Sequence, residues 1–294
     1  RMAIDVLKLF KGCENIIMMP ANRGLRVFAP LFLFYNKLYH RMIHYVVIGG
    51  WFDSFLDEHK WLVRLLKKFD AIYVESDMMK SALQRRGFEN AVVMYNFKEL
   101  EPLAESDIEY PKSEPYKLCT FSRVMKEKGI EDAINAVESV NAHFGRTVYT
   151  LDIFGQVDVE YKERFSQLEK SFPDYISYGG AIEANKSVET LKSYFTLLFP
   201  TYYKGEGFAG TLIDAMSAGV PVIASDWKYN PEFVVPGKTG VIIKNCNAER
   251  LAEELINIAA APEKWNSMRL SAFKESKKYK PDIAARPLID RING

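Results

Sequence analysis

Short apolar runs alternate with amphipathic segments along most of the chain. Residues 15–19 (NIIMM), 44–49 (HYVVIG), 71–75 (AIYVE) and 91–95 (AVVMY) predict strands, and helical spacing of apolar positions covers 25–41, 54–68 and 77–86. The alternation lapses in the acidic, proline-punctuated ELEPLAESDIEYPKSEPY and then resumes. Strands are expected at 117–122, 147–154, 175–180, 195–200, 220–225 and 240–244, and helices at 128–143, 160–171, 185–194 and 210–218. Strands separated by helices of this length imply parallel sheets built from βαβ units. The fold class expected is therefore α/β, with two Rossmann-like doubly wound domains facing each other across a cleft. Their expected bounds are 1–100 for an N-terminal domain, 101–116 for a linker and 117–279 for a C-terminal domain. Residues 280–294 are expected to form a C-terminal helix that crosses back to the N-terminal domain.

Composition agrees with two ordinary cores: 294 residues, 48% hydrophobic and 26% charged, suit two domains at roughly 150 residues each. A net charge of +1 argues against a nucleic-acid binder that works by bulk charge. The charge is uneven, because residues 1–50 hold seven Lys or Arg against only Asp5 and Glu14. Cys13, Cys119 and Cys246 lie far apart and lack CxxC or metal-ligand spacing, which fits free buried thiols in a reducing cytoplasm. The most apolar stretch, 27–39, is interrupted by Pro30, Asn36 and Lys37, short of the ~20 apolar residues a membrane span needs. The chain opens without Met, partway into a helical pattern and without a signal-peptide profile, so an upstream segment is expected.

Ligands of parallel sheets bind outside the carboxyl ends of the strands, and three loops there hold candidate chemistry. The first is SRVMKEKG, where Ser122 is followed by Arg123 and Lys128 at the mouth of a helix starting near Gly129. Two cations beside a helix N-terminus suit a diphosphate. A solvated basic turn is the competing reading. The second set is Gly155, at the end of LDIFG, and Gly180 with Ala181 and Ile182 in YGGAI, where glycine either admits a ligand to the backbone or serves only as a turn. The third is YKGEGFAGTLIDAMSAGVPVIASDW, 203–227. Here Gly205, Gly207 and Gly210 form a corner around Glu206, Phe208 and Ala209, and Thr211 and Asp214 open a helix. Carboxylates bind sugar hydroxyls better than phosphate, so an acid beside a phosphate site fits a nucleotide sugar.

FSRVMKEKGIEDAINAV, LDIFGQ, YISYGG, GEGFAGTLIDAMSAGVPVIASDW and PEFVVPGKTGVII together resemble the C-terminal domain of the group 1 (family 4) glycosyltransferases, which have the two-domain GT-B fold. The resemblance runs in order over about 116–260, and FDAIYVESDMMKSALQRRGFENAVVMYNF resembles the segment ahead of their interdomain linker. It implies a retaining, metal-independent hexosyltransferase that needs no cofactor and uses a nucleotide-diphosphate sugar, weighted toward UDP. The implied acceptor is a saccharide or a lipid-linked saccharide in cell-surface polysaccharide synthesis. The family's E-x7-E motif falls on Glu206, which would contact the donor sugar, and on Asp214, which would contact the ribose through an acid one methylene shorter than usual. Arg123 and Lys128 fall on the pair that neutralises the diphosphate, and 207–211 on the amides that face sugar and phosphate.

Two departures stand out. Where many relatives carry a cleft histidine, this chain has Gly49, Gly50 and Trp51, and Asp53 or an upstream group is expected to replace it. The N-terminal domain also reads as one to two βα units short. Asn22 and Arg23, in PANRG, are further acceptor-side candidates. The basic, aromatic segment RGLRVFAPLFLFYNKLYHRMIH fits either peripheral contact with an anionic membrane or a core helix with a solvated basic edge. A sugar-nucleotide epimerase of the same fold and a non-catalytic two-lobed binding protein remain open alternatives.

Overall fold

A computed structural model describes residues 2–100 and 103–294; Arg1 and the first two residues of the expected linker, Glu101 and Pro102, lie outside the described residues. The chain divides into two units, the first comprising Arg1–Phe97, Lys204–Phe208 and Pro281–Gly294, the second Lys98–Tyr203 and Ala209–Lys280.

The first unit runs α1 (Met2–Gly12), β1 (Asn15–Met18), α2 (Asn22–Tyr39), β2 (Met42–Val46), α3 (Phe52–Glu58), α4 (Lys60–Leu66), β3 (Ala71–Val74), α5 (Asp77–Arg85) and β4 (Ala91–Val93). Its sheet is parallel in the order β1-β2-β3-β4. The inner strands are covered on both faces: every residue of the apolar β3 is buried, as are Ile43 to Val46 of β2, where the buried His44 ring is met by Asn15 at 3.1 Å and Tyr73 at 3.2 Å. The predicted helix over 54–68 is two helices. His59 between them adopts φ −127°, ψ 54°, its ring stacks on Phe55 at 4.2 Å, and a ring nitrogen bonds the Phe55 carbonyl at 3.0 Å.

The second unit runs β5 (Tyr116–Phe121), α6 (Ile130–Phe144), β6 (Tyr149–Phe154), α7 (Lys162–Glu169), β7 (Ile176–Gly180), α8 (Ser187–Leu191), β8 (Thr196–Phe199), α9 (Gly210–Ser217), β9 (Val222–Ser225), α10 (Asn230–Phe233), β10 (Gly240–Ile243), α11 (Ala248–Ala259), α12 (Pro262–Asn266) and α13 (Arg269–Ser276). Six parallel strands lie in the order β10-β9-β8-β5-β6-β7. The chain steps outward from β5 through β6 and β7, then returns to the other side of β5 for β8. The direction of winding thus reverses between β5 and β8, the place where such sheets open a ligand crevice. Arg269 is fully buried beneath this sheet and donates to the carbonyls of Lys192, Tyr194 and Phe195 at 2.8, 2.8 and 3.4 Å, so a guanidinium closes the exit from α8.

Beyond α13 the chain forms α14 (Pro281–Ala284) and α15 (Arg286–Asn293), which group with the first unit. The Asn15 side chain donates to the Ile292 carbonyl at 3.3 Å, and Arg291 donates to the Asp70 carbonyl at 3.2 Å. The three cysteines are free; Cys119 is buried and Cys246 half-buried, but Cys13 is exposed, because it lies just past the end of α1, so the expectation of buried thiols fails there.

Candidate functional site

In the second unit the loops after β5 and β8 meet at the reversal point. Gly129 takes φ +72°, and a Cβ there would lie 2.4 Å from the Pro200 carbonyl oxygen, so glycine lets the two loops close on each other. Lys126–Lys128 form a single 3-10 turn ahead of it, and α6 begins at Ile130, two residues later than predicted, because Gly129 is left-handed. This turn carries the Lys128 ammonium over the rings of Phe199 and Tyr203, 5.4 and 5.3 Å from their centroids. Such contacts hold a cation in place at ~0.5–2 kcal/mol each. Arg123 is mostly exposed and lies 3.6 Å from the Asp158 carboxylate. Ser122 donates to the Arg123 carbonyl at 3.3 Å.

The loops after β5, β6 and β7 are stacked by backbone bonds. Ser122 N–H donates to the Phe154 carbonyl at 3.1 Å, and Gly155 N–H to the Gly180 carbonyl at 2.8 Å. Gly155 takes φ +136° and Gly180 φ +74°; Ala181 is exposed and Ile182 half-buried just beyond. Ala209 is the residue before α9, Gly210 its first, and the Thr211 hydroxyl donates to the Phe121 carbonyl at the end of β5.

Asp214 lies in the interior of α9 and is only 1% exposed. Both its oxygens accept from Lys98 Nζ at 2.7 Å, and Oδ1 also accepts from Ser187 Oγ at 2.9 Å. Burial raises its pKa, with the lysine and serine opposing that rise. The ion pair therefore offsets desolvation only in part, as buried pairs commonly do. Lys98 was not singled out from sequence. Its side chain runs along Gly210, where an added Cβ would sit 3.4 Å from Cδ and 3.9 Å from Nζ. An ammonium beside the first turn of a helix opposes the helix dipole, and the Asp214 carboxylate supplies the compensating charge.

Glu206, Gly207 and Phe208 group with the first unit and are buried, Glu206 at 6% exposure. Gly207 packs on Gly49: a Cβ at Gly207 would lie 2.7 Å from Gly49 Cα. Gly50 is buried, and the Trp51 indole N–H donates to the Ile48 carbonyl at 2.8 Å. Asp53, expected to stand in for a cleft histidine, is bound by Arg86 at 2.7 Å, and the same guanidinium holds Asp57 at 2.8 Å. Asn22 and Arg23 begin α2 and are exposed, with the Asn22 side chain accepting from the Arg23 N–H at 2.7 Å. Sequence reasoning also passed over Glu75, a buried carboxylate at the end of β3; its position at a strand's carboxyl end was the available signal. Among the described residues no group of three or more His, Cys, Asp or Glu could hold a metal ion.

Two parallel α/β sheets, with two cations on the loop after β5 at the reversal of the second, define a protein of the GT-B fold. The chain belongs to the family described as Glycosyl transferases group 1, which matches residues 104–275. It is similar to the GtfA subunit of the UDP-N-acetylglucosamine–peptide N-acetylglucosaminyltransferase of Streptococcus gordonii, at 30% identity over 58% of this chain and 34% of that protein. It is also similar to the poly(glycerol-phosphate) alpha-glucosyltransferase of Bacillus subtilis, at 27% identity over 61% of this chain and 26% of that one. The chain thus spans about a third or less of the length of these two relatives. Among solved structures, Anabaena HepE in complex with UDP matches with a TM-score of 0.78 at 15% identity, covering 99% of this chain and 82% of that one.

Proposed function

We propose that this chain is the catalytic part of a retaining, metal-independent glycosyltransferase that moves a hexosyl group from a UDP-sugar to a saccharide or lipid-linked acceptor in cell-surface polysaccharide synthesis. The observation that carries this reading is the fixed Lys128 ammonium at the β5/β8 reversal, with Arg123 on the same loop, in a chain of this family. UDP is supported by the names of the relatives: GtfA uses UDP-N-acetylglucosamine, and HepE was solved with UDP.

Breaking the anomeric bond leaves negative charge on the departing diphosphate. Lys128, Arg123 and the first N–H groups of α9 are the groups assigned to receive it, already ordered before the reaction. Glu206 orients the sugar hydroxyls. In retention, attack from the leaving-group face lets a diphosphate oxygen take the acceptor's proton, so the protein supplies no base. Ser122, Gly155, 180–182 and 207–211 line the donor, and Asp214 acts there together with Lys98. Asn22, Arg23, Gly50, Trp51 and Asp53 are assigned to the acceptor side.

Calorimetry of this chain with UDP, GDP, ADP and CMP tests the donor assignment. UDP is expected to bind at least tenfold tighter than the other three. Equal affinities would sink the UDP assignment, and no binding to any diphosphate would sink the reading as a whole. Release of UDP from a UDP-sugar that depends on added acceptor is expected; interconversion of the sugar without acceptor would favour the epimerase.

The place of action assigned is the cytoplasm, with peripheral contact at an anionic membrane; among the described residues no helix is long and apolar enough to cross one. Support comes from α2, whose buried positions are Leu25, Ala29 and Phe32. At 100° per residue its opposite side carries Val27, Phe34 and Leu38, all exposed, beside exposed Arg23, Arg26 and Lys37. No acidic residue occurs between Glu14 and Asp53 to repel anionic lipid. Vesicles containing anionic lipid should sediment the protein and neutral vesicles should not; no sedimentation with anionic vesicles would remove the membrane from the assignment.

A further inference from the structure

The loop that holds Glu206 is fastened by a residue with no role so far. Glu75 follows the last residue of β3 and is 4% exposed. Its Oε2 accepts the Gly49 N–H at 2.9 Å and the Phe208 N–H at 3.3 Å. The other side of the Phe208 residue is held too, because the Asn96 side chain donates to its carbonyl at 3.2 Å. Upstream of Glu206, the Gly205 carbonyl accepts from the Gly50 N–H at 3.4 Å. Between these anchors, Gly207 leaves no space: a Cβ there would fall 2.6 Å from Glu75 Oε2 as well as against Gly49. Glu206 is thus bracketed one residue before and two residues after by bonds to the ends of strands.

A buried carboxylate is costly, and here burial raises the Glu75 pKa while the two amide donors oppose the rise. A residue that served only to fill space would carry no charge. An acceptor that can take two amide donors on one oxygen is what the arrangement uses.

We propose that Glu75 is a positioning residue for Glu206: it ties the Gly49 and Phe208 amides to one oxygen and so fixes the corner from which Glu206 meets the donor sugar. This rests on the glycosyltransferase reading above. The requirement is for the acceptor oxygen and its placement, so glutamine, which keeps one carbonyl oxygen at the same reach, satisfies it. Glu75 gives up no proton in the reaction.

The test compares wild type, Glu75→Ala, Glu75→Gln and Asn96→Ala in steady-state transfer from UDP-sugar, with UDP affinity measured separately by calorimetry. In Glu75→Ala, kcat is expected to fall at least ~30-fold while the UDP Kd stays within about twofold, since orientation of the sugar is lost and the diphosphate cations are untouched. Glu75→Gln should recover kcat to within about fivefold with an unchanged pH profile, and Asn96→Ala, which removes only the carbonyl-side anchor, should lose about tenfold. Wild-type kcat in Glu75→Ala overturns the proposal. So does a loss of UDP affinity in proportion to kcat, which marks general damage, or disappearance of the acid limb of the pH profile in Glu75→Gln, which marks proton transfer. If Glu75→Ala does not fold, Asn96→Ala and Glu75→Gln decide: wild-type kcat in Asn96→Ala, or an inactive but folded Glu75→Gln, overturns it. Absence of any transfer by wild type would instead overturn the glycosyltransferase reading.

Discussion

Lys128→Ala is expected to lower the rate of sugar transfer by about 100-fold or more, the usual loss when one preorganised charge is removed from a site where negative charge develops. The expectation is this strong because the ammonium is held before any ligand arrives. It sits over Phe199 and Tyr203 on a one-turn helix that ends in the left-handed Gly129, so its position is set by the ends of two adjacent strands. Lys128→Arg, which keeps charge but not reach, should fall between alanine and wild type. Glu206→Ala should match the alanine loss through a different parameter: UDP itself, which has no sugar for Glu206 to hold, should bind normally to that variant, whereas it should bind Lys128→Ala more weakly. Steady-state kinetics with UDP calorimetry and a thermal melt separate the two. Folded variants that turn over at the wild-type rate would remove both residues from the mechanism.

Much of this architecture is legible in the chain because buried parallel strands must be apolar on both faces. AIYV, TLLF and VIAS announce themselves, whereas β2 ends at Val46, three residues short of the predicted 44–49, and the strand ends then point to the loops worth reading. What sequence did not reveal has identifiable causes. The break at His59 has no helix-breaking residue type to mark it; its ring stacks on Phe55 one turn back and meets the Arg26 guanidinium of α2 at 3.4 Å. Helix α11 was readable and passed over: Asn247 caps it by accepting from the Arg250 N–H at 2.9 Å, and Leu251, Leu255 and Ile258 recur at helical spacing. Lys98 and Glu75 lay beyond local reading, because each matters through a partner over 100 positions away, Asp214 and Phe208 respectively. Spacing between Glu206 and Asp214 suggested two acids open to a ligand. In the structure the second is already engaged by Lys98 and Ser187, so a nucleotide reaching Asp214 meets a lysine, a serine and an acid acting together.

The glycine after β6 and the one that ends β7 looked alike in sequence, and the structure separates them into a residue on which the fold depends and a residue that leaves space. Gly155→Ala is expected to destabilise the second unit by more than about 4 kcal/mol, in the range reserved for direct backbone conflict. The added Cβ would lie 1.7 Å from the Ser122 carbonyl oxygen and 2.7 Å from its carbon, and the backbone is at φ +136°. Neither neighbour is a side chain that can swing away, so the loops after β5 and β6 would have to part, breaking the stack that carries Arg123. At ~2–4 °C per kcal/mol for a unit of this size, the melting temperature should drop by about 10 °C or more, if soluble protein is obtained at all. Gly180→Ala meets nothing within 4 Å, and its φ of +74° is a left-handed conformation that costs a side chain only ~1–2 kcal/mol. Its melting temperature should therefore fall by a few degrees. The same open space is where the donor reading places the nucleotide, so the methyl of Gly180→Ala should weaken UDP binding more than it weakens the fold. A Gly180→Ala protein with wild-type UDP affinity would move the base away from the end of β7, and a Gly155→Ala protein as stable as wild type would show that the loops after β5 and β6 are not stacked as described.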